Sequence, residues 1–218
     1  MQKPQLKQRI VIWRHGQTDW NIENRFQGHT DIPLNAVGRA QVARAASILS
    51  TQEIDHIISS DLQRAYETAA AVAAVKQLKV VADPQLRETH CGSWEGRTGP
   101  DIEASDGENL ARWFAGDDLP AGGDGERRSD VVKRMMAAIE RGLSERQSGE
   151  TLLVVTHGGA ARGAIGALLG LAISDWVAIG GLANASWSIV EERNARWRLI
   201  EHNSGVLPEP ILGQESSQ

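Results

Sequence analysis

Cysteine is nearly absent from the chain: Cys91 stands alone among 218 residues. One thiol excludes an internal disulfide and any thiolate cage around a metal, and a small packed thiol is its expected role. A basic surplus is missing too, since 23 Lys and Arg face 28 Asp and Glu for a formal charge of -5. Nucleic acids and anionic membranes are normally met by a basic face or stripe, so neither is an expected partner. Nowhere does an apolar run reach the ~18 residues that a membrane-crossing helix requires. The opening MQKPQLKQR carries no apolar core of the signal-peptide kind, and a cytoplasmic location is the expectation. No long Pro-, Ser- or Lys/Glu-rich linker divides the chain, which points to one domain over 1–218 with its core at about 9–202.

What is present begins with enough apolar residues, 41% of the chain, to build a proper core. Arg9 to Trp13 (RIVIW) is a short β-branched apolar run followed at once by polar RHGQTDWN, as at the carboxyl end of a buried strand. After a long loop, Asn35 is placed to cap a helix over AVGRAQVARAASIL. His56 to Ser60 reads as a second strand, and Asp61 as the cap of an Ala-rich helix, LQRAYETAAAVAAV. A third strand starts at Leu78, an amphipathic helix runs from Arg128 to Arg146, and Thr151 to Val155 (TLLVV) is the clearest strand of all. From His157 the chain turns into a Gly-containing helix. Ser186 to Glu192 and Ala195 to Glu201 then suggest a hairpin through Arg193-Asn194, followed by a mobile or surface tail from Asn203. Alternating strands and helices predict an α/β fold: a three-layer, doubly wound, mostly parallel sheet with helices on both faces.

In such sheets ligands bind beyond the carboxyl ends of the strands, where residues distant in sequence meet. Arg14 and His15 follow the first strand, Arg64 lies just after the second, and His157 with Gly158 follows TLLVV. Two arginines aimed at one point need an anion between them, and a phosphoryl group suits the guanidinium fork. Gly158 opens a helix, whose free N–H groups add to that attraction. A small phosphorylated metabolite is therefore the expected partner.

No Ser or Cys occupies a recognisable nucleophile setting, and the histidines are not spaced as a zinc site, so neither metal nor cofactor is expected. His15 is the candidate nucleophile, with Arg14, Arg64 and His157 neutralising the phosphoryl oxygens. Glu88, in RETHCGSWEG, is the candidate acid for the leaving group and then the base for water.

Taken together, RHGQTDWN, SSDLQRAYETA, LRETHCGSWEG and VVTHGG resemble, in order and spacing, the histidine phosphatase superfamily, also called phosphoglycerate-mutase-like, over roughly residues 9–200. The resemblance implies that fold, a metal-independent phosphatase working through a phosphohistidine, and catalytic roles for Arg14, His15, Arg64, Glu88 and His157. It also implies phosphate-pocket roles for Asn21 and Gln27, and a homodimer. Within the superfamily, RETHCGSWEG with GGLANASW is similar to the branch acting on glucosyl-3-phosphoglycerate. Where the family commonly has P-G-G-E-S the chain has AGGDGERR, which places Arg127 where a serine is usual. Two alternatives stay open: a phosphoglycerate mutase, which carries extra basic residues after the acid motif, and a non-catalytic phospho-ligand binder.

The remaining candidates have plainer readings. His29, His56, His90 and His202 are expected to be surface or packed histidines, although His29 in QGHTD falls near the pocket. GDDLPAGGDG is read as a flexible lid or turn, because its aspartates would repel phosphate. Of the seven Trp, Trp94 and Trp113 could line a sugar-binding wall, while Trp13, Trp176 and Trp187 are expected in the core.

Overall fold

A computed structural model of the chain describes residues 8–144 and 149–205. Its strands are β1 (Arg9–Arg14), β2 (His56–Ser59), β3 (Val80–Ala82), β4 (Thr151–Thr156), β5 (Trp187–Arg193) and β6 (Arg196–Ser204). The α-helices are α1 (Asp19–Ile22), α2 (Ala36–Leu49), α3 (Gln63–Lys76), α4 (Gly99–Ala115), α5 (Arg128–Ser144) and α6 (Gly158–Leu168). All six strands join one sheet in the order β3-β2-β4-β1-β5-β6. The first four of that order pair in parallel, whereas β5 runs antiparallel to β1 and β6 antiparallel to β5. The expected α/β class with a mostly parallel sheet is what forms.

β1 and β4 lie at the centre because their sequences tolerate burial on both faces. Every residue of β4 is buried, as are Ile10 to Trp13 of β1. Alternation sends Ile10, Ile12, Leu152 and Val154 into a core with Met135 and Ile139 of α5 and Ile165 of α6. Val11, Trp13, Leu153 and Val155 point the other way, onto Val42 and Leu49 of α2 and Val72 of α3. Each such large apolar side chain contributes roughly 1.5–3 kcal/mol by leaving water. A third, smaller cluster joins Trp94, Ile102, Leu110 and Trp113 beneath α4.

Several elements depart from the sequence reading. Asn35 caps α2 as expected, its side chain accepting from Gly38 N at 2.8 Å. Asp61 does not cap α3; its carboxylate takes Arg87 instead (2.7 and 2.5 Å), and Asp31 from a distant loop accepts the Gln63 N–H at 2.8 Å. A charged partner outcompetes the local backbone donor there. The hairpin turns one residue later than expected, at Asn194 and Ala195, both with positive φ (54° and 57°), as a two-residue hairpin loop demands. β6 then continues through Ser204, which pairs with Trp187, so Asn203 and Ser204 belong to the strand rather than opening a tail. The rest of that tail, from 206, and the last two residues of the helix expected to end at Arg146 lie outside the described residues. Helix α4 had no expectation, because Gly, Pro, Ser and Asp crowd its first half; a Thr98–Asp101 capping box starts it and it kinks at Asp106.

The segment 116–126 is a turn packed on the acid loop, not a flexible lid. Ser93 N donates to Asp124 Oδ1 at 2.8 Å, Glu126 N to His90 O at 2.8 Å, and Gly125 N closes onto Ala121 O at 2.8 Å.

Candidate active site

The carboxyl ends of β1, β2 and β4 open onto a cavity of about 480 Å³. Arg14, His15, Asn21, Gln27, Arg64, Glu88 and His157 all border it. Of the eight site residues expected from sequence, only Gly158 lies elsewhere, on an adjoining hollow.

His15 is buried, and its Nδ1 lies 2.6 Å from Gly16 O. A carbonyl can only accept, so Nδ1 carries the hydrogen and Nε2 keeps its lone pair. Burial, and then the Arg64 and Arg14 charges, hold the imidazole well below its ordinary pKa, so it stays neutral.

Arg64 is wholly buried at the start of α3. Its Nε donates to His157 Nδ1 at 3.2 Å, Nη1 to Thr30 O at 2.8 Å and Nη2 to Gly28 O at 2.9 Å. Those contacts leave one hydrogen on each Nη uncommitted. Burial lowers its pKa to about 10, which still leaves a cation at neutral pH. Arg14 donates Nη1 to Leu182 O at 2.6 Å, and its Nε is shut away from solvent without an acceptor. Each arginine thus retains donors that an anion in the cavity would satisfy.

His157, expected to help neutralise the phosphoryl oxygens, borders the cavity with both ring nitrogens engaged by protein partners. Since Nδ1 accepts from Arg64, the hydrogen sits on Nε2, which donates to Ser60 Oγ at 2.9 Å. Burial and Arg64 hold this ring neutral as well, and its centroid lies 5.1 Å from that of His15. The ring therefore orients Arg64 in this arrangement.

Glu88 occupies the place at the start of α6 that the sequence reading gave to phosphate. Gly159 N donates to its Oε2, and Thr89 N and Ala160 N to its Oε1, each at 2.9 Å. The free N–H groups and dipole of a helix N-terminus favour a carboxylate as they would a phosphate. From behind, Arg134 binds the carbonyls of Gln85, Arg87 and Glu88 at 2.7–2.8 Å while both its Nε and Nη2 pair with Glu126 at 2.8 Å. His29 reaches the same Glu88 carbonyl through Nε2 at 2.9 Å, which gives it a supporting place outside the cavity.

Glu95 ties the two loops that flank Arg64. Its Oε1 accepts from His29 N (2.9 Å) and Cys91 N (3.1 Å), and Oε2 from Thr30 N (3.2 Å) and Thr30 Oγ1 (2.8 Å). Burial opposes its charge, yet those hydrogen bonds outweigh burial and hold the carboxyl below its usual pKa. Gly28, at φ +51°, lies so close that a Cβ would fall 2.0 Å from Glu95 Oε1. Only glycine allows the carbonyl of residue 28 to face Arg64.

Asn21 keeps its Oδ1 on Thr18 N at 3.0 Å, and Asn184 Nδ2 donates to the same atom at 3.1 Å. Asn184 is a cavity residue that sequence reasoning missed. It arrives because β5 runs antiparallel to β1, so the start of one abuts the end of the other: Arg14 N donates to Ser186 O and Ala185 N to His15 O, both at 3.0 Å. Ser60, Arg134 and Glu95 were missed for a similar reason, since each acts through partners far off in sequence. Of the two candidate sugar-wall tryptophans, Trp113 borders the cavity, while Trp94 is fully buried and donates to Asp106 at 2.9 Å. Trp13, Trp176 and Trp187 are buried, as expected. Cys91 is a buried thiol that burial pushes far up in pKa, which makes it inert. Arg127 is exposed and reaches Asp118 O, away from the cavity.

The family model described as histidine phosphatase superfamily (branch 1) matches residues 10–205. The chain belongs to the histidine phosphatase superfamily. Glucosyl-3-phosphoglycerate phosphatase of Mycobacterium tuberculosis is 38% identical over 91% of this chain and 95% of its own length. The enzyme of that name from Mycolicibacterium vanbaalenii is 37% identical over 82% of each. A solved structure of the mycobacterial glucosyl-3-phosphoglycerate phosphatase with VO3 superposes with a TM-score of 0.83 at 39% identity, covering 90% of this chain and 99% of that one. Family and relatives alike agree with a phosphoric monoester hydrolase. Among the described residues no helix of this histidine phosphatase is long and apolar enough to cross a membrane.

Proposed function

We propose that this histidine phosphatase hydrolyses glucosyl-3-phosphoglycerate to glucosylglycerate and phosphate, through a phosphohistidine on His15 and within a single domain. One observation carries the reading: His15 is neutral, is tied through Nδ1 to Gly16 O, and presents its lone pair at Nε2 to a cavity bordered by Arg14 and Arg64.

In the first half-reaction Nε2 forms a bond to phosphorus while the bond to the glycerate oxygen breaks. The leaving oxygen takes a proton from Glu88, and the phosphoryl group remains on His15 as a phosphoramidate. Arg14 and Arg64 hold the phosphoryl oxygens with the N–H groups left over from their protein contacts, and His157, gripped by Ser60, keeps Arg64 aligned. Glu88, now ionised and set on three backbone N–H groups, takes a proton from the water that cleaves the nitrogen–phosphorus bond. Phosphate leaves and His15 is restored.

The sugar part of the proposal rests on the relatives and on the cavity beyond the phosphoryl position. Trp20, Phe26 and Trp113 supply aromatic faces there, and Gln27 offers a buried Oε1 with no partner, an acceptor suited to a hydroxyl. The reading also includes a cytoplasmic location and a homodimer through the open edge of β6, which light scattering on the purified chain would test.

The decisive experiment is His15→Ala with a phosphate-release screen over glucosyl-3-phosphoglycerate, 3-phosphoglycerate and other sugar phosphates. Turnover should vanish while the unfolding temperature holds, and wild-type enzyme quenched during turnover of labelled substrate should carry acid-labile phosphate. Turnover by the variant at the wild-type rate refutes the mechanism; mutase turnover exceeding phosphate release refutes hydrolysis as the main reaction.

A further inference from the structure

Beside the main cavity lies a second of about 280 Å³, and Arg14, Glu88, Thr89, Trp113 and Gly159 border both. Its outer part carries two more arginines: Arg128, the first residue of α5, and Arg162 of α6. Arg128 is fixed. Its guanidinium lies 3.8 Å from the Trp113 ring centroid, with Nη1 on Asp117 O at 2.9 Å and Nη2 on Trp113 O at 2.6 Å. Arg162 has no hydrogen bond or ion pair to any described residue, and its Nε is closed off from solvent without an acceptor. Arg14, on the shared border, has a buried unpartnered Nε as well.

Burial lowers the basicity of Arg128 and the charge of Arg162 lowers it further, so the two cations feel each other across the hollow. Asp117 and Asp118 pull Arg128 the other way, but neither comes within ion-pair distance of it. Among the described residues Glu88 is the one carboxylate bordering the space, and both its oxygens are taken by backbone N–H groups. Like charges gathered in a partly desolvated hollow without a counter-ion are destabilising unless an anion arrives. The remaining walls, Val131, Val132 and Trp176, are apolar and strengthen any charge pairing made there.

We propose that the hollow between Arg128 and Arg162 is a second anion subsite, and that it takes a carboxylate of the same molecule whose phosphate meets His15. A carboxylate fits, because its planar pair of oxygens matches a guanidinium fork and the phosphate of the same molecule is already engaged at His15. The assignment rests on the phosphatase reading above and adds to it a basis for selecting phosphorylated acids over phosphorylated alcohols.

The test compares 3-phosphoglycerate with glycerol 3-phosphate, which differ only by a carboxylate against a hydroxymethyl group. Arg162→Gln is the variant, since Arg162 makes no hydrogen bond or ion pair to any described residue and glutamine keeps much of its stem; Arg128 is left alone because it anchors two carbonyls. The variant should raise KM for 3-phosphoglycerate about tenfold with little change in kcat, the loss of roughly one charge-assisted hydrogen bond, and should leave KM for glycerol 3-phosphate unchanged. Arg162→Lys should restore part of the loss. Calorimetric binding of glycerate, which needs no turnover, should weaken by a similar factor. Equal effects on both substrates, or unaltered KM and glycerate binding, overturn the subsite. Should glucosyl-3-phosphoglycerate prove not to be hydrolysed while the two simpler substrates still separate on Arg162, the sugar assignment fails and the subsite stands.

Discussion

Lowering the pH should unfold this protein through its two buried imidazoles. Both His15 and His157 are held neutral well below the ordinary value of 6.5, mainly by burial and then by Arg64. In the unfolded chain each takes up a proton as the pH falls through 6.5, while in the native state neither does. The unfolded state therefore binds more protons, so stability is fully present above 6.5 and is lost as the pH drops below it. Each imidazole contributes about 1.4 kcal/mol per pH unit below that value, or about 2.7 kcal/mol for the pair between pH 7.5 and 5.5. Carboxylates and exposed histidines change over the same interval, so the wild type must be compared with a His15→Asn, His157→Gln double variant that keeps those other groups. Urea unfolding of both proteins at steps of pH gives the difference directly. The wild type should lose about 2.7 kcal/mol more than the variant over this interval. A difference that stays flat with pH would mean that the rings take up protons in the native state as readily as in the unfolded chain, so that His15 is not held neutral by its surroundings.

Further outcomes concern the acid and its setting. Gly159→Ala would put a Cβ 2.8 Å from Glu88 Oε1, so kcat should fall about tenfold or more through a displaced acid, whereas Gly158→Ala meets Arg14 only at 3.4 Å and should be much milder. Steady-state kinetics that rank the two the other way would remove Glu88 from the step. Prolonged incubation with a chelator should leave the rate unchanged, because the roles proposed here fall on His15, Glu88 and the arginines; strong inhibition restored by a divalent ion would refute that assignment.

The sequence by itself determined the central layer and the three strand ends that carry arginine or imidazole groups. TLLVVT and IVIW have no polar residue in their middles, and such runs are stable only when covered on both faces, which fixed where polar residues following them must emerge. Arg14, His15, Arg64 and His157 could be grouped on that ground alone. What tertiary structure decided is who pairs with whom. Asp61 had the spacing of a helix cap, yet Arg87 is the stronger partner, and the capping fell to Asp31. A helix N-terminus after TLLVVTHGG reads equally well as a site for phosphate or for carboxylate, and only the approach of the acid loop gave it to Glu88. Asn184 became a cavity residue through the antiparallel entry of β5, and Arg162 faced Arg128 through the packing of α6 against α5. Local pattern fixes burial, because burial depends on a residue's own chemistry and spacing; partnership depends on distances between segments that only the folded chain sets.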